Sequence, residues 1–162
     1  ALVRDLTHRG IAAVPFSIDT VKEGLFAHIG TGDRAHNRML GRASYHAIFA
    51  TIAAFPHALV PVVDAWHGFQ PREVLEAHLA RAGIARVVEV WCAVTPETAA
   101  ARYCERAGTR HPGHLPASYA EELFALAGRA EPMGFGPVVR MDTEVPLTGT
   151  DLDRVAELIA PG

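Results

Sequence analysis

Short apolar runs alternate along this chain with longer segments whose apolar residues recur every three or four positions. That alternation predicts strands and amphipathic helices in turn. Residues 1–10 carry apolar side chains at positions 2, 3 and 6 and end at Gly10, the pattern of the back half of a helix. Residues 11–18 read as a short strand, after which Asp19 or Thr20 can cap a helix over 21–29. A glycine loop at 30–33 leads to a long helix over 37–55, ended by Pro56. The run 57–63 predicts a second strand closing at Asp64, with Pro61 placing it near a sheet edge or a bulge. Pro71 opens a helix that reaches Arg81 and stops at Gly83. The run 86–94 is a third strand, and Thr95-Pro96-Glu97 starts the next helix. A loop at 112–116 precedes a helix from Ser118, with Glu121 completing a capping box, to about Ala130. A last strand over 138–143 is followed by a helix opened by Thr150-Asp151, with Leu152, Val155, Leu158 and Ile159 on one side.

Strands that are nearly continuous in apolar residues and alternate with helices predict an α/β fold, a parallel sheet covered by helices on both faces. At 162 residues the chain fits one domain over 1–162. Half its residues are apolar and a fifth charged, which predicts a globular protein, and no apolar run is long enough to span a membrane. The net charge of -3 gives no electrostatic footprint for nucleic acid. Two cysteines, Cys92 and Cys104, make no disulfide framework, so a cytoplasmic setting is expected. Cys92 falls within the third strand and is expected in the core. Lys22 is the sole lysine beside fourteen arginines.

Arg102, Arg106 and Arg110 are four apart, which would align them on one face of a continuous helix, although Gly108 makes Arg110 a loop residue. Guanidiniums converging after a strand are suited to gripping phosphate oxygens. The competing reading is a solvated charge stripe. In open parallel sheets, ligands bind at the carboxyl ends of strands. Here those ends carry Asp19, Asp64, Thr95 and Asp142-Thr143. Two acids there could hold a hard cation through water or take a proton from a hydroxyl, or serve as ordinary caps. His111 and His114 are the one tight histidine pair, short of a structural zinc site. His67 follows Asp64 by three and could border an acceptor pocket, while Phe26, Tyr45 and Phe49 are core candidates first.

Several segments together resemble the small P-loop kinases related to chloramphenicol phosphotransferase and the zeta toxins, which have an adenylate-kinase-like fold. They are Phe16-Ser-Ile-Asp19-Thr-Val-Lys22-Glu, Val62-Val-Asp64-Ala, Thr95-Pro96-Glu with Arg102-Tyr-Cys-Glu-Arg106, Arg110-His-Pro-Gly-His114 and Arg140-Met-Asp142-Thr143. The likeness covers nearly the whole chain. It implies an ATP-dependent, Mg²⁺-using kinase acting on a hydroxyl of a small molecule, with a lid over about 99–116. By the same resemblance Asp19 would be the base or positioning group, Lys22 and His67 would face the substrate, and Asp64 would stand behind the metal waters with Asp19. Arg102, Arg106 and Arg110 would clamp the phosphoryl group, and Asp142-Thr143 would lie by the nucleotide with Arg102 and Arg110. The acceptor pocket would be built from 37–55 and 66–70.

The family's strand followed by G-x-x-x-x-G-K-[ST] is not found in this sequence. Since residues 1–10 resemble the rest of the helix that begins in that motif, we expect the P-loop to lie upstream. The family's central strand would then be missing, exposing apolar edges on both its neighbours. The alternative is a catalytically inactive binding or regulatory domain of the same fold. The sequence leaves the acceptor and the oligomeric state open.

Overall fold

Four short strands alternate with helices in the computed structural model, which describes residues 2–56 and 58–160. In chain order these are α1 (Leu2–His8), β1 (Ala13–Ser17), α2 (Ile18–Ile29), α3 (Arg34–Ile52), β2 (Val60–Asp64) and α4 (Arg72–Arg81). There follow β3 (Glu89–Ala93), α5 (Pro96–Ala107), α6 (Ala120–Ala127), β4 (Val138–Asp142) and α7 (Gly149–Ile159). Short 3₁₀ turns lie at His67–Phe69 and Ala117–Tyr119. His57, one of the scattered histidines, lies outside the described residues. Among those residues no helix is long and apolar enough to cross a membrane.

Local chemistry sets the element ends. Thr95 caps α5 by accepting from Thr98 N, with Pro96 just inside, as the sequence suggests. At α2 the cap is Ser17, whose hydroxyl accepts from Thr20 N, so Asp19 is left inside the first turn. The capping box expected at Ser118 is absent, because a 3₁₀ turn occupies that place and α6 starts without a side-chain cap. A capping box does form at α7, between Thr148 and Asp151, and it opens that helix ahead of the expected Thr150.

The expected single sheet is divided in two. β1 pairs with β2 in parallel, Ser17 opposite Asp64, and β3 pairs with β4, Ala93 opposite Asp142. Each half has its own core. Tyr45, Ile48, Phe49, Ile52 and Leu75 pack with Phe16 and Val63 over the first pair. Val139, Met141 and Val155 pack with Leu2, Val90 and Leu152 over the second. Each large apolar side chain so buried contributes about 1.5–3 kcal/mol. Phe26 and Tyr103 are buried outside both clusters.

The halves are tied through the segment before β4. Met133 and Phe135 pack on the first core, while Glu89 of β3 accepts from the Met133 and Gly134 amides. Gly136 is obligatory there, since a Cβ would lie 2.0 Å from the Val87 carbonyl oxygen.

Alternate residues of a strand aim their backbone groups at opposite edges. Val60 N donates to Ala12 O, so Pro61 and Val63 face away from β1. Glu89 N donates to Pro137 O, so Val90 and Cys92 face away from β4. Neither of these edges pairs with another strand among the described residues. Pro61 therefore costs no donor toward β1, which fits the edge position its sequence implied. Cys92, expected in the core, is exposed, and its own strand β3 has no neighbour on the flank away from β4 among the described residues.

Candidate functional site

Two acids one helical turn apart on α2 meet two basic residues four apart in the loop after α5. Gly108 caps α5, so the chain leaves the helix before Arg110. Arg110 Nη2 donates to Asp19 Oδ2 at 2.6 Å. It also donates to His114 Nδ1 at 3.2 Å, and His114 Nε2 lies 2.8 Å from Glu23 Oε1. The His114 side chain is only 6% exposed, against 51% for Asp19.

The loop is seated in three further ways. The Asn37 amide donates to the Gly113 carbonyl and its oxygen accepts from Lys22 Nζ at 2.7 Å. The His111 ring stacks on Phe26 at 5.2 Å. Gly113 lies against the same phenyl ring so closely that a Cβ would come within 2.6 Å of it. Behind the loop, the Tyr103 hydroxyl donates to Leu115 O at 2.6 Å, and the Arg110 guanidinium sits 5.7 Å from the Tyr103 ring centre. Burial holds the Lys22 amine below its ordinary value, opposed by Asp19 and aided by Arg110.

Arg102 turns to the other half of the molecule. Its Nη2 donates to the Thr143 carbonyl at 2.7 Å and its Nη1 to the Thr143 hydroxyl at 3.4 Å. Thr143 also donates its hydroxyl to Ala93 O, joining the ends of β3 and β4. Arg106 folds back on its own helix, Nε donating to Arg102 O. Cys92, Val94, Arg102, Arg106 and Thr143 line an open cleft of about 450 Å³. Beside it Glu144 accepts from the Thr95 amide and hydroxyl, and hydrogen bonds from Thr95 and Thr98 lower its carboxyl to about 2. The three arginines thus engage different elements and do not form one clamp.

Asp64 ends β2, exposed and in register with Ser17. Its charge reaches the Cys92 thiol, which is raised first by partial burial and then by Asp64. His67 Nδ1 lies 2.7 Å from the Tyr45 hydroxyl, and burial lowers the imidazole, opposed by Glu89 and Asp64. That contact turns His67 toward the α3 core. Asp142 Oδ1 accepts from Glu144 N and shapes the loop after β4. No group of three His, Cys, Asp or Glu side chains able to hold a metal occurs among the described residues. Of the tight histidine pair, His111 stacks on Phe26 and His114 meets Glu23.

Glu23 and Asn37 emerge only in three dimensions. Their partners lie 91 and 76 positions away. The one sequence signal is the spacing: Asp19 and Glu23 share a helix face, and Arg110 and His114 repeat that interval with an arginine and a histidine.

No protein-family model and no curated protein matches the sequence. Among solved structures, the crystal structure of a "putative kinase" from Chloroflexus aurantiacus J-10-fl is similar, with a TM-score of 0.78 and 20% identity. The match covers 98% of this chain and 90% of that one. This chain is therefore an α/β protein that shares the fold of that structure.

Proposed function

We propose that this chain forms the body of an ATP-dependent kinase that phosphorylates a hydroxyl of a small molecule. The observation that carries the reading is the meeting of Arg110 with Asp19. A phosphate-gripping guanidinium on a loop is set against an acid at the start of the helix after a strand. In the proposed reaction the acceptor oxygen attacks the γ-phosphorus of ATP. The new O–P bond forms as the bond to the β-phosphate oxygen breaks, its electron pair leaving with ADP. Asp19 takes the hydroxyl proton, and Arg110 neutralises charge on the transferring group. Most of the acceleration in such a transfer comes from positioning and charge stabilisation.

The 450 Å³ cleft lined by Arg102, Arg106 and Thr143 is where we place the nucleotide. Mg²⁺ is commonly held by phosphates, waters and one or two carboxylates. Exposed Asp64 suits that role, with Asp19 able to share it once released from Arg110. The ion would supply charge neutralisation on the phosphates.

The phosphate cradle is the remaining part. We place it on a strand between β2 and β3, beside Pro61, which can offer only its carbonyl, and Val63 on one side, and beside Val90 and Cys92 on the other. A G-x-x-x-x-G-K-[ST] turn would then lead into α1. The unpaired edges of β2 and β3 support this placement.

One observation favours the alternative, a non-catalytic domain of the same fold. Lys22, the sole lysine, is half-buried on Asn37 and unavailable to phosphates. The deciding experiment is a phosphorylation screen of small hydroxyl compounds with Mg-ATP and the product of the whole open reading frame. Phosphoryl transfer should be found, and Arg110→Ala and Asp19→Ala should each lower turnover more than ATP affinity. Equal losses in nucleotide affinity with unchanged turnover would contradict these roles. A reading frame without the strand and Gly-Lys turn would support the non-catalytic alternative.

A further inference from the structure

Arg110 is fixed from one side only. Its Nη2 carries two protons, and the two contacts at that nitrogen, Asp19 Oδ2 and His114 Nδ1, use both. Among the described residues, Nη1 and Nε have no hydrogen-bond partner. Three N–H groups therefore remain for an incoming oxyanion while the guanidinium stays anchored.

The same geometry settles the form of His114. A guanidinium can only donate, so Nδ1 must accept. The ring proton then sits on Nε2 and points at Glu23 Oε1, 2.8 Å away. A carboxylate fixing the tautomer of an imidazole, which in turn presents a lone pair to a third group, is a recurrent way of orienting functional side chains. Here the third group is an arginine. The imidazole is 6% exposed and packs edge-on to Phe26, so its orientation is held by packing as well as by Glu23.

We propose that Glu23 and His114 are positioning residues for Arg110, holding its guanidinium so that Nη1 and Nε face a phosphoryl group. The phosphoryl part of this assignment rests on the kinase reading; the anchoring does not. The relay keeps hold of Arg110 when Asp19 lets go. As an oxyanion draws charge from the Arg110–Asp19 pair, Asp19 is freed for the acceptor hydroxyl, and His114 keeps the guanidinium from following it. Binding of the phosphoryl donor thereby exposes the base.

The test is nitrogen-15 NMR of the 162-residue chain, with inorganic pyrophosphate as probe. The His114 ring should be protonated at Nε2 and bare at Nδ1. Pyrophosphate should shift the Arg110 Nε signal. His114→Ala should raise the pyrophosphate concentration needed by roughly tenfold. His114→Gln, which can still accept from Arg110 and donate to Glu23, should return to within about threefold of the parent. A ring protonated at Nδ1, or His114→Ala with parental pyrophosphate response, would overturn the relay. If the ring is as expected but pyrophosphate leaves Arg110 untouched, the anchoring stands and the phosphoryl reading falls.

Discussion

Replacing Asn37 by leucine should damage the protein out of proportion to its chemistry, because this buried amide serves two elements at once. Asn37 is 8% exposed; its oxygen receives Lys22 and its nitrogen reaches the Gly113 carbonyl. Leucine keeps the volume and removes both bonds. A hydrogen bond from a charged donor is worth about 1.5–3 kcal/mol, and a neutral one about 0.5–1.5 kcal/mol. The loss should be about 2–4 kcal/mol, a large share of the roughly 5–15 kcal/mol that holds a domain together. Urea unfolding at neutral pH measures it directly.

The pH dependence separates the two parts. Burial already holds Lys22 below its ordinary value, and removing its acceptor lowers it further. The unfolded chain keeps that proton up to about pH 10.5 while the folded variant releases it earlier. Over that window the unfolded state binds more protons, so stability of Asn37→Leu should rise with pH more steeply than that of the parent. Asn37→Asp, which keeps the Lys22 acceptor, should lose less. An Asn37→Leu protein within about 0.5 kcal/mol of the parent, with the same pH slope, would refute the reasoning.

Two further outcomes are expected. Gly113→Ala places a methyl against the buried Phe26 ring, an overpacking that costs about 1–3 kcal/mol and should unseat the loop; loss of the His111–Phe26 ring-current shift in proton NMR would report it, and an unchanged shift would contradict it. Glu144→Gln should flatten the acid limb of stability: the folded carboxyl sits near 2, so its contribution is present above the ordinary carboxylate value of about 4.5 and is lost as pH falls toward 2. Thermal unfolding from pH 5 to pH 2 tests that, and a variant with the parental acid limb would count against the Thr95 and Thr98 contacts.

Much of the fold is written locally. Thr95-Pro96 and Gly108 bound α5, and Gly108 alone places Arg110 in a loop, because these effects act within one helical turn. Apolar runs find β1 to β4, but which edges stay open is a property of pairing, and a run such as 86–94 looks the same in a filled sheet and a divided one. That is why the sequence alone assigns Cys92 to the core. Ser17 is hidden as a cap in the sequence because the apolar run continues to Ile18. The site was half legible. Asp19 and Arg110 carry chemistry at strand and helix ends, where ligand groups collect. Glu23, Asn37 and His114 act through partners far along the chain, and periodicity within one element cannot reveal them. The resemblance implies that Arg102 and Arg110 share one target, whereas the turn at Gly108 leads Arg110 to Asp19 while Arg102 reaches Thr143.

The central claim is that a phosphate-cradling strand between β2 and β3 completes a nucleotide site in this fold. Calorimetric titration of Mg-ATP tests it most directly, into the 162-residue chain and into the same chain carrying an in-frame strand and G-x-x-x-x-G-K-[ST] turn ahead of α1. The expected result is weak or undetectable binding to the first and micromolar binding to the second. Micromolar binding to the first, or none to a folded form of the second, would contradict the account.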